Sequence, residues 1–297
     1  MASALYIANE SITAIVGKMA GKRLQIRQTA KAALPAGAVL GGIIMDEKAL
    51  SETLQQLSGQ IKGGLGDVRV VIGGSQIYCK RSVVPKMPKR KLLEWEVSEF
   101  TDVDTENDEL IYDCLILSDL GVNQGNSALL CAARRSLIAS YAELFQSIKI
   151  KLGCIEPAVS AMQKLIGQLE ATREATSIVL NMDGNSLEAT LFVKGEFRIS
   201  NRMRLIAARG TAESTAEISR MVSSIIQFNL SERSGEAVHQ VLVLGSRPEE
   251  QAMLNSIQTA YDLPTSVLTD GGNAIAAPND GFVLADYAFA AGTLIGI

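Results

Sequence analysis

The chain is poor in the residues that most often do chemistry. Its 297 residues include one histidine, His239, and one tryptophan, Trp95, and aromatic residues make up only 5%. A lone histidine without a cysteine pair builds no zinc site, and no Gly-x-Ser-x-Gly elbow offers it a serine nucleophile, so a structural role is expected for His239. The four cysteines, Cys79, Cys114, Cys131 and Cys154, are widely spaced and form no CxxC. Neither a disulfide framework nor a zinc ribbon is implied, which fits a reducing compartment. No apolar run approaches the ~18 residues needed to cross a bilayer, and the opening MASALYIANE lacks the basic and apolar regions of a signal peptide. Charge of one sign is also lacking: 28 Lys and Arg face 32 Asp and Glu, a net charge of -4. That balance makes no electrostatic case for nucleic acid or for direct adhesion to anionic lipid. The acidic run Asp102, Asp104, Glu106, Asp108 and Glu109 lacks the spacing and glycine of an EF-hand loop, so it reads as a solvated loop and no metal is expected.

What is present is an ordinary core-forming balance, 47% hydrophobic and 20% charged, in a chain long enough for two lobes. Within it lies an internal repeat. Leu5 to Ile26 and Ile178 to Ile199 each read as strand, polar turn, strand, Lys- and Gly-containing turn, strand. The first turns are Ala8-Asn9-Glu10-Ser11 and Asp183-Gly184-Asn185-Ser186; the second carry Lys18 with Gly21 and Lys194 with Gly195. A unit duplicated across half the chain suggests two related lobes with a cleft between them, where ligands usually sit. A turn that presents several backbone N–H groups is a natural cradle for phosphate.

Along the rest of the chain, strands and helices alternate, which argues for an α/β class. The spacing of Leu50, Leu54, Leu57 and Ile61 predicts a helix over 46–61 with Asp46 as its N-cap. Strands are expected at 68–72, 76–84, 110–117, 128–131, 241–245 and 265–268. Helices are expected at 89–100 (Leu93, Val97 and Phe100 on one face), after 131 (Leu137, Tyr141, Leu144, Ile148), from Glu156-Pro157 to 169, at 213–230, from Glu249, and in the apolar stretch 282–297. The polar stretch 170–176 marks a lobe boundary. The expected domains are a first lobe of 1–75 completed by 153–175 and 280–297, an inserted subdomain of 76–152, and a second lobe of 176–279.

Three stretches then carry a resemblance: Val83-Val84-Pro85-Lys86-Met87-Pro88 before a Glu-, Trp- and Phe-containing helix; 128–148 with Ala132-Ala133, Tyr141, Leu144 and Phe145; and Gly153-Cys154-Ile155-Glu156-Pro157-Ala158. With the paired hairpin turns and the late Gly245, the chain resembles the actin-like ATPase superfamily, in its FtsA branch and most nearly the PilM-like proteins of type IV pilus assembly. The resemblance implies an actin-like two-lobed α/β fold with an inserted FtsA/PilM-type subdomain in the first lobe. It also implies a site between the turns for ATP and Mg2+. Here that pocket reads as degenerate. Where the family pattern has Asp-Ile-Gly-Ser-Ser, this chain has Tyr6, Ile7, Ala8, Asn9 and Glu10, with Ser11 next and Thr13 in place of a lysine. The second Asp-Ile-Gly becomes Asn181, Met182 and Asp183, followed by Gly184 and Asn185, and the late glycine pair becomes Gly245-Ser246. Tyr6 offers no carboxylate to a magnesium-bound water, and Glu10 and Asp183 put negative charge where a triphosphate would lie. ATP and Mg2+ are therefore disfavoured and no catalytic residue is expected.

The resemblance further implies a cytoplasmic scaffold, peripheral at the inner face of the membrane, that docks the cytoplasmic tail of a PilN-like bitopic membrane protein and contacts other pilus platform proteins. No nucleic acid and no direct membrane insertion are implied. The tail is expected at the junction of the first lobe with its insertion, near Val84, Met87, Leu93, Trp95 and Val97. The adjacent Lys86, Lys89, Arg90 and Lys91 fit a solvated face as well as a partner- or lipid-facing one. Two alternatives stay open: an ATP-binding, FtsA-like assembly factor, and the cytoplasmic domain of a GspL-type secretion protein.

Overall fold

A computed structural model describes residues 1–103, 108–121, 123–232, 235–270, 274–279 and 281–296. Two sheets share one strand order. In the first, Arg23–Ala33, Ser11–Ala20 and Ala2–Ile7 form an antiparallel meander, and Val68–Ile72 and then Leu152–Pro157 add in parallel. In the second, Glu196–Arg204, Ser186–Val193 and Ser177–Asp183 form the meander, and Gln240–Leu244 and Thr265–Val267 add in parallel. The repeat seen in the hairpins therefore extends through five strands of each sheet. Asp46 caps the helix Glu47–Gln60 as expected, accepting from Ala49 N at 3.0 Å. Its second-lobe counterpart, Ala212–Ser231, is capped by Thr211.

The outer face of each sheet buries its own helices. Leu50, Leu54 and Leu57 pack on Leu5, Ile12 and Val70 in the first lobe, and Ile218, Val222 and Ile225 on Ile178, Leu187 and Val241 in the second. The inner faces share a third core. Two helices, Ala158–Gln168 and Leu284–Leu294, lie there among Ala4, Ile15 and Val71 of one sheet and Val179, Phe192 and Leu244 of the other. They pack closely enough that a Cβ on Gly292 would fall 2.0 Å from Ala161 O. A pair of helices buried against both sheets ties the lobes into one core.

The insertion is a three-stranded antiparallel sheet with Asn126–Arg134 between Ile77–Val84 and Leu110–Asp119. Helix Lys89–Glu96 and the 3-10 turn Val97–Phe100 cover one face. It also touches the second lobe: Arg81 and Ser127 both reach the Glu196 carboxylate, at 3.6 and 3.2 Å.

Several expectations are corrected. The helix expected from Glu156-Pro157 starts at Ala158, because Leu152–Pro157 is a parallel edge strand that the Gly153 and Pro157 punctuation hid. The buried face of the insertion helix is Leu92, Glu96 and Phe100, one residue out of step with the expected Leu93, Val97 and Phe100, and Val97 is 48% exposed. Helix Arg135–Ser147, expected within the insertion, buries Leu137, Tyr141, Leu144 and Phe145 in the first-lobe core. Residues 275–276, assigned to the second lobe with no strand expected there, form the short strand Ile275–Ala276 that pairs with Arg23–Ala33 of the first. Residues 104–107 of the acidic loop and Gly271-Gly272 lie outside the described residues.

Candidate functional site

The two first turns of the hairpins meet tip to tip between the lobes. In the first, Ile7 pairs with Ile12, and Ala8 N closes the turn on Ser11 O at 2.9 Å, which leaves the N–H groups of Asn9 and Glu10 free of the ladder. In the second, of the same length, Asp183 pairs with Ser186 around Gly184-Asn185. Gly184, at φ 59, supplies the positive φ that the first position of such a two-residue turn requires.

Asp183 crosses the gap. Its carboxylate accepts from Asn9 N at 2.6 Å and from Glu10 N at 3.3 Å. The Asn9 side chain bridges further, accepting from Gly41 N at 2.8 Å and donating to Asp183 O and Ser186 Oγ, both at 3.4 Å. Burial raises the Asp183 carboxyl above its ordinary range against the pull of the two N–H groups, and the Glu10 charge adds to the rise. A second link closes the rim, where Arg247 Nη2 meets Glu10 Oε2 at 3.2 Å.

Beneath the second turn lies a buried ion pair. Arg209 and Glu250 are 3% and 1% exposed and are paired through both guanidinium arms, Nε at 2.7 Å. Arg209 also donates to Gly184 O at 3.2 Å and Gly245 O at 2.8 Å. Glu250 accepts from Arg247 N at 2.8 Å. Burial alone would push the Glu250 carboxyl up, but these donors hold it below its ordinary value. Gly245 is required by close approach, since a Cβ there would sit 2.0 Å from Met182 O.

Tyr6 packs at a tilt against Phe289 of the last helix, at 4.3 Å between ring centroids. Burial, with the Asp183 charge second, pushes its phenol far above the usual range, so it stays neutral. Thr13, its cross-strand partner, is buried, and its hydroxyl has no hydrogen-bond partner among the described residues. Ser11 opens the second strand and Ala8 is buried, whereas Asn185 is exposed and uses its carbonyl to hold Leu205 N at 2.7 Å. Ser246, half-buried, follows Gly245 at the rim.

The space between the turns measures about 40 Å³ and is lined by Tyr6, Asn9, Asn181, Asp183, Glu188 and Arg202 among others. The Asn9 and Glu10 N–H groups beside it already hold a carboxylate. A larger cavity of about 430 Å³ adjoins it, between Gly73–Ser75, the start of helix Ala158–Gln168 and the strands carrying Glu188 and Arg202. Those two side chains neutralise each other at 3.0 Å. Among the described residues no group of three or more His, Cys, Asp or Glu could hold a metal ion. His239 Nδ1 accepts from Thr176 N at 3.0 Å. The structure thus brings together the hairpin residues singled out in the sequence. Sequence reasoning missed Arg209, Arg247 and Glu250; the only local signal was Arg247-Pro248-Glu249-Glu250 directly after Gly245-Ser246.

A second concavity lies where the insertion meets the first lobe. A cavity of about 230 Å³ is lined by Arg69, Lys89, Asp113, Ile155, Glu156 and Lys164 among others. An apolar cavity of about 80 Å³ beside it, with Ile72, Ile111, Tyr112 and Ile138, shares Asp113, Cys131, Ile155 and Pro157. Strands Leu110–Asp119 and Leu152–Pro157 each pair on one side only. The residues expected to line this junction do not. Val84 is buried in the insertion's own core, Met87 and Trp95 pack on that core, Leu93 is half-buried and Val97 faces outward; none of the five lines either cavity.

Two lobes of one strand order, with paired hairpin turns at their meeting point and helices crossing between them, define the actin-like ATPase fold, and the chain has it. A chain of the PilM-PilN type IV pilus biogenesis complex superposes with a TM-score of 0.78 at 15% identity, covering 99% of this chain and 97% of that one. A Bacteroides thetaiotaomicron protein described as having an actin-like ATPase fold gives 0.51 at 8% identity, covering 92% of each chain. The cytoplasmic domain of EpsL, an inner-membrane component of the Vibrio cholerae type II secretion system, gives 0.51 at 12% identity, covering 98% and 94%. No family model matches the sequence, and no curated protein matches it significantly. No described helix is long and apolar enough to cross a membrane.

Proposed function

We propose that the chain is a non-catalytic scaffold of a type IV pilus platform, held at the cytoplasmic face of the membrane by capturing the cytoplasmic tail of a PilN-like bitopic protein. The observation that carries this reading is the groove between the insertion and the first lobe. Two edge strands border it with unpaired backbone groups, apolar side chains form its floor, and Arg69, Lys89, Asp113 and Lys164 ring it. An extended segment is recognised by this combination, with main-chain hydrogen bonds for affinity and pockets for a few apolar anchors. The likeness to a PilM-PilN complex supports the pairing, and the weaker likeness to EpsL supports the broader class of pilus and secretion platforms. The absence of turnover follows from the carboxylate in the phosphate cradle and from Tyr6 in place of a magnesium-orienting acid.

A peptide of about fifteen residues from the start of such a partner tests the reading. It should bind the full chain, and Ile111→Glu should weaken binding by at least about tenfold, ~1.4 kcal/mol. Met87→Glu should leave affinity within about twofold, because Met87 lies outside both cavities. The opposite pattern, or binding to the second lobe, would overturn the placement.

A further inference from the structure

Successive N–H groups converging from one turn form a nest, and a nest binds an oxyanion. In this chain the nest of Asn9 and Glu10 has an oxyanion that is covalently part of the protein. Both carboxylate oxygens of Asp183 are used, one on each N–H, and Asp183 comes from the opposite lobe, 174 residues from Asn9. The acceptor is mounted on a rigid base, because Arg209 grips the carbonyls on both sides of it, Gly184 O and Gly245 O, from a fully buried pairing with Glu250. The donor turn is fixed as well, its Asn9 side chain tied to Gly41 N and Ser186 Oγ. The Glu10–Arg247 pair adds a solvent-facing link across the same gap, and Glu10 lies against Gly184.

We propose that Asp183 is a built-in substitute for a nucleotide's phosphate: its carboxylate fills the oxyanion site of the first turn and latches the two lobes together without any nucleotide. In an actin-like fold that binds a nucleotide between such turns, the ligand supplies the negative charge that both turns grip. Here one turn supplies the charge and the other the donors, so closure becomes a property of the chain. The larger neighbouring cavity adjoins this contact through Gly73, Gly74, Ser186, Glu188 and Arg202, but neither Asn9 nor Asp183 lines it. The latch does not depend on which membrane partner the first-lobe groove takes.

Residue-resolved amide hydrogen exchange on the full chain tests it. The Asn9 and Glu10 amides should be protected in the absence of any added anion, and magnesium-ATP at millimolar concentration should not change that protection. Asp183→Ala should speed their exchange by about tenfold or more, the scale of a lost charge-assisted hydrogen bond. In Asp183→Gly, inorganic phosphate should restore protection, whereas chloride at equal ionic strength should not. Asp183→Asn retains one acceptor oxygen and should fall between wild type and Asp183→Ala. Fast exchange of both amides in the wild type, their further protection by magnesium-ATP, or unchanged exchange in a folded Asp183→Ala would each overturn the latch. The wild-type arms decide the question even if a variant fails to fold.

Discussion

The two hairpin turns that meet between the lobes belong to the same structural unit, yet one offers donors and the other an acceptor. Side-chain identity explains the difference, because the turns are equally long: Ile7↔Ile12 and Met182↔Leu187 each enclose four residues. Where the first turn has Ala8 the second has Asp183, whose carboxylate reaches the Asn9 and Glu10 N–H groups that lie outside the first ladder. Duplicated lobes therefore need not keep duplicated sites. A difference of one side chain at matching turn positions, Ala8 against Asp183, changes which chemical group faces the cleft, while sheet order and helix packing stay alike.

The strongest test of this asymmetry removes the base of the acceptor side. Arg209→Ala leaves Glu250 buried without its cation, a defect that typically costs about 3–5 kcal/mol. Denaturant unfolding should show that loss at an unchanged m-value; a loss below ~1 kcal/mol would mean the second turn needs no such base.

A contrast between two buried carboxylates sharpens the comparison next. Asp183 accepts from two N–H groups, whereas Glu96 accepts only from Cys131 N at 3.0 Å and its other oxygen has no partner among the described residues. Burial, with the Asp113 charge also raising it, pushes the Glu96 carboxyl up to about 8 despite that one N–H. The folded protein thus holds a proton there that the unfolded chain has released, so the Glu96 contribution to stability is present at acid pH and declines as pH rises between the ordinary 4.5 and about 8. Glu96→Gln should flatten that part of the stability-against-pH curve, and an unchanged slope would show that Glu96 is already ionised in the fold.

Gly184→Ala and Gly21→Ala compare the lobes at positive-φ turn glycines. Both place a Cβ at φ near +60°, but only at Gly184 does it crowd a side chain, Glu10, at 3.0 Å. Each should cost about 1 kcal/mol for the backbone, and Gly184→Ala should cost more, read as a lower denaturation midpoint. The smallest effect is expected from Arg247→Ala. Its pair with Glu10 is roughly half exposed on both sides, and such pairs contribute about 0–1 kcal/mol. A larger loss that persists in high salt would place the latch at the rim instead of at Asp183.

Much of the fold was legible because it is local. The cap at Asp46, the apolar spacing of Leu50, Leu54 and Leu57, and the strand Val68–Ile72 each declare themselves within a dozen residues. The hairpin repeat was legible for the same reason. The edge strand Leu152–Pro157 was not, since a short segment broken by Gly and Pro becomes a strand only when Val68–Ile72 offers its edge. The insertion helix was expected over 89–100 but gives way to a 3-10 turn after Glu96, and its buried face is turned by one residue: Leu92 and Leu93 are equally apolar, and only the sheet beneath selects Leu92.

At the candidate site, the sequence alone determined which residue types stand in the turns: Tyr6, Asn9 and Glu10 in one, Asn181 and Asp183 in the other. From these residue types the charges were expected to disfavour a triphosphate. Tertiary structure decided what those residues do instead. Asp183 reads as a repulsive charge while its partners are unknown, and becomes a ligand once folding brings two N–H groups from 173 and 174 residues away against its oxygens. Arg209 carries no signal in a linear reading, and Glu250 only its place shortly after Gly245-Ser246, since a buried ion pair is defined by the water it excludes and the partner it meets, and both are set only when the sheets and helices have packed.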